Sequence, residues 1–277
     1  MAPRLLLGLA CSLAAGALAA GALAAGGPSP GTVQGWEGVV APGGGVRYVA
    51  MPAGRSTVVA AVNVYGGRIV RFGSLAGSWG VPLVAYDGSA GGLSFDGGLL
   101  VLAEPSRGGF RAVSRFAVLG TKAFRVRRQI VLKGEFSFDA LSPDARTLYV
   151  IEHVSEQDYS RYRVRAYDLR AGRLLAGAIA DKRSSETTMA GYPLTRATSP
   201  DGRWVYTLYR NDGSDPFIHA LDTRGRRAVC IDLPWKRSQD GLSRLRLSAG
   251  ADEIVLRRRT GNVVAVVDAR TFEVRTV

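Results

Sequence analysis

Short apolar runs, each entered through a polar corner, recur along the chain. Residues 99–104 read LLVLAE, 147–152 TLYVIE, 204–209 WVYTLY and 253–258 EIVLRR. Apolar residues on successive positions over so short a run predict strands covered on both faces. Two of the runs follow nearly the same corner, LSPDAR at 141–146 and TSPDGR at 198–203; LSFDGG at 93–98 and LSAGAD at 247–252 are looser copies. In such a corner proline presets φ, aspartate suits the next position and glycine relieves the exit, so a hairpin turn is expected. After a variable loop comes a third strand ending at Asp168, Asp222 or Asp268, whose side chain can bond the backbone amides of a further turn. A fourth, outer strand follows.

Aligning Met51 of AMPAGR with Ser94, Ser142, Ser199 and Ser248 gives successive separations of 43, 48, 57 and 49 residues. Units of this length, four antiparallel strands each, cannot bury both faces alone and must pack on their neighbours. The sequence therefore predicts an all-β fold, a β-propeller of four-stranded antiparallel blades, five in number with six as the alternative. Trp36 and Trp79 each stand 15 residues before an aligned position, Met51 and Ser94. Residues 36–41 accordingly read as an outer strand without a blade, expected to pack on the last blade and close the ring; residues 273–277, EVRTV, compete for that place.

The pattern SPDG…(L/V)YV…(I/V)xD…G, fullest in the units around Ser142 and Ser199 and spread over residues 48–277, resembles the YVTN and WD40-like β-propeller repeats of secreted and surface proteins. The resemblance implies a ring-shaped binding scaffold. That family shares no single activity, so no catalytic residue follows from it.

Residues 5–25 carry no charge, follow Arg4 and end in the triplets Ala17-Leu18-Ala19 and Ala22-Leu23-Ala24. They read as a signal peptide over 1–26, with a linker at 27–34 and a single propeller domain at 35–277. An uncleaved anchor is the competing reading, weakened by the Ala and Gly content. Lipidation at Cys11 is a third, but Gly8 stands where a lipobox has leucine. The expected location is secreted or in the cell envelope. Without the leader Cys230 is the only cysteine, which excludes an internal disulfide and, in its apolar run, reads as an inert thiol. The formal charge of +13 rests on 36 cations, of which all but Lys122, Lys133, Lys182 and Lys236 are arginine. Such a surface favours anionic partners, an acidic surface polymer before nucleic acid for an exported chain; a membrane partner is expected only if the leader is retained or Cys11 is lipidated.

The residues offer little chemistry. Gly27-Pro28-Ser29-Pro30-Gly31 matches G-x-S-x-G, but two prolines leave no strand-to-helix elbow. His153 and His219 are the only histidines and lack metal-ligand spacing, so neither metal nor cofactor is expected. His219, inside a strand, reads as a hydrogen-bonded structural histidine; His153, beside the acidic loop Glu156–Asp158, is the better candidate acid or base. Asn211–Asp215, NDGSD, reads as a hairpin turn ahead of a calcium loop. Ten residues after each aligned serine stand Glu104, Glu152, Tyr209 and Arg258, which with His153 and Arg210 are expected at one mouth of the channel as a binding site. The expected function is non-catalytic binding of a protein, peptide or surface polymer; the alternative is an extracytoplasmic hydrolase or lactonase-like enzyme.

Overall fold

The computed structural model describes residues 29–106, 108–183, 185–211, 215–235 and 241–277. Five antiparallel sheets follow one another along these residues. The first joins Gly38–Val40, Val46–Ala53, Ser56–Asn63 and Ile69–Ala76; the second joins Leu99–Ala103, Val113–Gly120 and Arg125–Lys133. The third is built from Glu135–Leu141, Thr147–His153, Arg161–Asp168 and Arg173–Leu174, with Met189–Ala190 also on Arg161–Asp168. Tyr192–Thr198, Trp204–Arg210, Phe217–Asp222 and Arg227–Asp232 form the fourth, and Leu245–Ala249, Glu253–Arg258, Val263–Asp268 and Val274–Thr276 the fifth. The expected all-β class with four-stranded antiparallel units holds. The second sheet gains a partial first strand where Leu93 bridges Leu100.

The corners show why the repeated tetrapeptide works. Ser94, Ser142 and Ser199 each donate a hydroxyl hydrogen bond of 2.6 Å to the carboxylate of Asp96, Asp144 and Asp201. The same hydroxyl accepts from the amide five residues on, at 2.8 Å for Leu99, 3.0 Å for Thr147 and 2.9 Å for Trp204. The residue after the aspartate takes a left-handed conformation, φ 69° at Gly97, 54° at Ala145 and 70° at Gly202. The outer turns also behave as expected: Asp168 Oδ1 accepts the amides of Arg170 and Ala171, and Asp268 Oδ1 those of Arg270 and Thr271.

Three expectations are corrected. Met51 is not at a corner but within Val46–Ala53. The first sheet's corner lies at 41–46, where Ala41 N–H bonds Val46 O at 2.7 Å and Gly44 N–H bonds Ala41 O at 3.0 Å, the pattern that Ser142, Ala145 and Thr147 repeat. Ala41-Pro42-Gly43 stands there where Ser-Pro-Asp stands elsewhere, so the proline is kept but no serine marks the corner. The strand at Gly38–Val40 therefore does not close the last sheet; it pairs with Val46–Ala53 as the first strand of its own sheet. Val39, Ala41 and Val46 pack toward the second sheet, and a Cβ on Gly38 would lie 2.0 Å from Tyr48 O, so only glycine permits that pairing. Val274–Thr276 supplies the fourth strand of the last sheet. Ser248 likewise is no corner residue: the turn beyond it is tighter, with Gly250 N–H bonding Glu253 O at 2.8 Å.

Between consecutive sheets lie four hydrophobic cores. Leu75, Leu102 and Leu119 fill the first, Phe116, Phe136 and Leu148 the second, Tyr149, Val164 and Leu221 the third, and Leu208, Ile218, Ile254 and Leu256 the fourth. Among the described residues no hydrophobic core joins the last sheet to the first. The second strands register this difference. Leu99–Ala103, Thr147–His153 and Trp204–Arg210 are buried nearly throughout, whereas Glu253–Arg258 buries only Ile254 and Leu256, the face turned to the fourth sheet.

First strands of the leading four sheets share a cleft of about 340 Å³. A hairpin at 83–90, closed by Val84 N–H to Ser89 O at 2.8 Å, reaches beyond it and bonds the fourth sheet through Tyr86 N–H to Pro193 O at 2.9 Å. Of the expected linker, residues 29–34 are described, and Thr32–Val33 pairs with Val81–Pro82 at the foot of that hairpin. The expected signal peptide, Cys11, Gly27 and Pro28 lie outside the described residues.

Candidate functional site

The loops after the second strands and the connections between sheets emerge at one end of the molecule. Here an open pocket of about 690 Å³ lies between the third and fourth sheets. Its floor is apolar, with Met189 and Phe217, and its walls carry Arg161, Asp181, Arg183 and Asp232. The connection at 175–191 builds one wall. It runs along the third sheet, Ile179 N–H bonding Val164 O at 2.8 Å, then crosses to the fourth, where Asp181 bridges Ala228 in parallel.

Asp181 and Arg183 clip this connection to the outer strand Arg227–Asp232. Asp181 Oδ2 accepts the Cys230 amide at 2.9 Å, and Arg183 Nη2 donates to Cys230 O at 2.7 Å while forking onto the Asp181 carboxylate. Both edge groups of Cys230 are thereby satisfied, which blunts an otherwise open sheet edge. The Arg183 hydrogen bonds hold the Asp181 carboxyl down at about 2, and burial pushes the half-buried Cys230 thiol up to about 11. At neutral pH the first is a fixed charge and the second a protonated thiol. Neither suits proton transfer or nucleophilic attack.

The residues expected at a channel mouth all sit at this same end, but they divide. Glu104 pairs with Arg115 at 3.1 Å on the surface, and Glu152 with Arg165 at 2.7 Å. Arg258 is exposed, its amide bonding Asn262 O at 2.8 Å. The Arg210 guanidinium lies 5.5 Å from the Tyr192 ring centroid. Only His153 and Tyr209 share a cavity, an enclosed one of about 20 Å³ lined also by Ser137, Asp139, Tyr162 and Arg196. Ser137 Oγ and His153 Nε2 are 3.1 Å apart there, but the cavity has room for about one water molecule and none for a substrate. Burial lowers His153 to about 4.

His219 departs from its reading as a hydrogen-bonded histidine: it is buried between the third and fourth sheets with no protein partner for either ring nitrogen, and burial lowers it to about 4. Of Asn211–Asp215, residues 212–214 lie outside the described residues. Among the described residues no group of His, Cys, Asp and Glu is arranged to hold a metal ion. Sequence reasoning missed Asp181 and Arg183, because the connection carrying them belongs to no repeat; the run DKR at 181–183, alone between two strands, was the available signal.

No family model and no curated protein matches the chain. Solved structures do. The β-propeller domain of Cps50 (Swd1) from Myceliophteria thermophila is 10% identical with a TM-score of 0.51, covering 89% of this chain and 72% of that one. TolB from Acinetobacter baumannii is 11% identical with a TM-score of 0.46, and a puromycin-hydrolyzing peptidase from Mycobacterium tuberculosis 18% with 0.43. The alignments cover 85% and 86% of this chain but only 54% of the TolB chain and 37% of the peptidase. At such identities the likeness concerns the fold alone. Successive four-stranded antiparallel sheets with cores between them, and the match to the Cps50 domain, make this chain a β-propeller.

Proposed function

We propose that the chain is an exported binding protein that holds a protein or peptide segment in the open pocket between its third and fourth sheets, without catalysis. The observation that carries this is the pocket's composition: opposite charges held by Asp181 and Arg183 on the walls beside the apolar Met189 and Phe217. The charge-free leader supports export, and the Ser-Pro-Asp corners support assignment of the repeats to the YVTN and WD40-like class.

Panning a peptide library on the purified propeller, followed by calorimetry of the selected peptides, tests the reading. Thr188→Trp, which fills the pocket from its wall, is expected to weaken a selected peptide at least tenfold. Unchanged affinity in that variant removes the pocket from the interaction. Turnover in a broad hydrolase screen, or metal bound stoichiometrically, favours the hydrolase or lactonase-like alternative instead.

A further inference from the structure

Several arginines elsewhere in the molecule are held by acids. Arg111 pairs with Glu135, Arg165 with Glu152, Arg196 with Asp139, and Arg203 and Arg227 both with the fully buried Asp222. In the last sheet arginines face one another instead. Arg246 stands directly opposite Arg257 in the register of Leu245–Ala249 with Glu253–Arg258. Just beyond the strands, Arg259 N–H bonds the carbonyl oxygen of Arg244, the last residue of a 3-10 turn at Leu242–Arg244, at 3.1 Å. Strand alternation turns Arg246 and Arg257 away from the face that Leu245, Leu247, Ile254 and Leu256 pack on the fourth sheet.

The result is a grid of four arginines at the loop end of the sheet, on the side where no hydrophobic core covers it. Among the described residues, Asp87, 3.7 Å from Arg246, is the only carboxylate paired with any of the four. Like charges set directly opposite in a sheet destabilise it. Solvent screens such a cost without removing it, so the arrangement is best understood through what it binds.

The spacing narrows the ligand. Opposed strand residues lie about 5 Å apart and alternate residues along a strand about 7 Å apart. An extended peptide with Asp or Glu at every second position presents carboxylates at that same interval of about 7 Å, and guanidinium forks suit carboxylates. The other residues of this face, among them Ser248, Glu253, Val255, Val263, Val266 and Arg275, include no aromatic ring on which bases or sugars stack. We propose that Arg244, Arg246, Arg257 and Arg259 form a docking site for an extended acidic peptide segment with carboxylates on alternate residues. The site is separate from the open pocket and does not depend on its occupancy.

The probe is a synthetic peptide of five Glu-Ser repeats, compared at low and physiological salt with a peptide of five Glu followed by five Ser. The alternating peptide is expected to bind several-fold more tightly, with an affinity that falls as salt rises. Arg257→Ala/Arg259→Ala, two exposed positions, is expected to weaken it at least tenfold, while Arg125→Ala/Arg127→Ala on the outer strand of the second sheet and Thr188→Trp in the pocket leave it unchanged. Circular dichroism and a thermal melt establish that each variant is folded; if the double variant is not, Arg259→Glu alone carries the same expectation. No binding at low salt, equal loss in the Arg125/Arg127 control, equal affinity for the two peptides, or tighter binding of inorganic polyphosphate or single-stranded DNA through the same arginines would overturn the proposal.

Discussion

Acidification from neutrality to pH 5 should destabilise this protein through two residues, His153 and His219. Both are buried, and desolvation favours their neutral rings down to about pH 4. In the unfolded chain each takes up a proton near pH 6.5. The unfolded state therefore binds more protons over this interval, and stability rises with pH: it is complete above about 6.5 and is lost as pH falls toward 4. A ring that stays neutral to about pH 4 instead of 6.5 gives up about 2 kcal/mol by pH 5, so the two together give up about 4 kcal/mol. Against a typical domain stability of about 5–15 kcal/mol, that is a large share. The carboxylates do not blur the result. Asp181, lowered by its Arg183 hydrogen bonds, and Asp222, where Arg203 and turn amides outweigh burial, both lie near 2, so their contribution is lost only below about pH 4.

Urea unfolding followed by tryptophan fluorescence at pH 7.5 and pH 5 measures the difference. His219→Phe keeps the volume and the edge contact of the ring with Tyr209, removes two unpartnered nitrogens and should halve the pH dependence. Equal midpoints at the two pH values, or an NMR titration placing either histidine near 6.5 in the folded protein, would refute the reasoning.

Arg111→Ala should cost about 3–5 kcal/mol by leaving Glu135 buried and uncompensated, and Arg111→Met/Glu135→Gln should recover part of that loss, both read from urea midpoints. Ala145, with φ 54° at the third sheet's corner, should accept glycine with a gain of about 1 kcal/mol and a higher melting temperature. Ser199→Ala removes two hydrogen bonds at once and should lower stability by about 1–3 kcal/mol without changing the fold, as judged by circular dichroism and melting.

What the sequence disclosed, it disclosed through repetition. Each of the three Ser-x-Asp corners needs a hydroxyl to bridge carboxylate and amide and a residue tolerant of positive φ, so composition and geometry coincide at 94–97, 142–145 and 199–202. The first sheet was misplaced for the complementary reason. Its corner keeps Pro42, but Ala41 and Gly43 stand where serine and aspartate would be, and Gly43 and Gly44 make the turn through positive φ, so no hydroxyl or carboxylate announces it. The candidate site was less legible still. Counting from the serines finds positions at one end of the molecule, but strand alternation and local ion pairs decide which side chains meet. Glu104 and Glu152 turned to Arg115 and Arg165, while His153 and Tyr209 converged on a closed cavity. The pocket itself is made by a connection between sheets, which no repeat constrains.

One strand carried more information than its neighbours, and it was readable as soon as burial was known. LLVLAE, TLYVIE and WVYTLY are apolar on both faces because a sheet lies on either side of each. EIVLRR alternates instead, Ile254 and Leu256 inward against Glu253, Val255 and Arg257, the pattern of a strand with one dry face and one wet one. A unit that drops the two-sided pattern marks a sheet that, among the described residues, is covered on one face only. Five arginines, Arg244, Arg246, Arg257, Arg258 and Arg259, fall within sixteen positions there. An exposed sheet face needs only a polar surface for solubility. A surface that was merely solubilising would mix signs, as the Arg275 and Glu253 pair does at the far end of this same sheet. The single-signed grid at the loop end goes beyond that requirement, and the proposal of an acidic-peptide site on the last sheet rests on that excess.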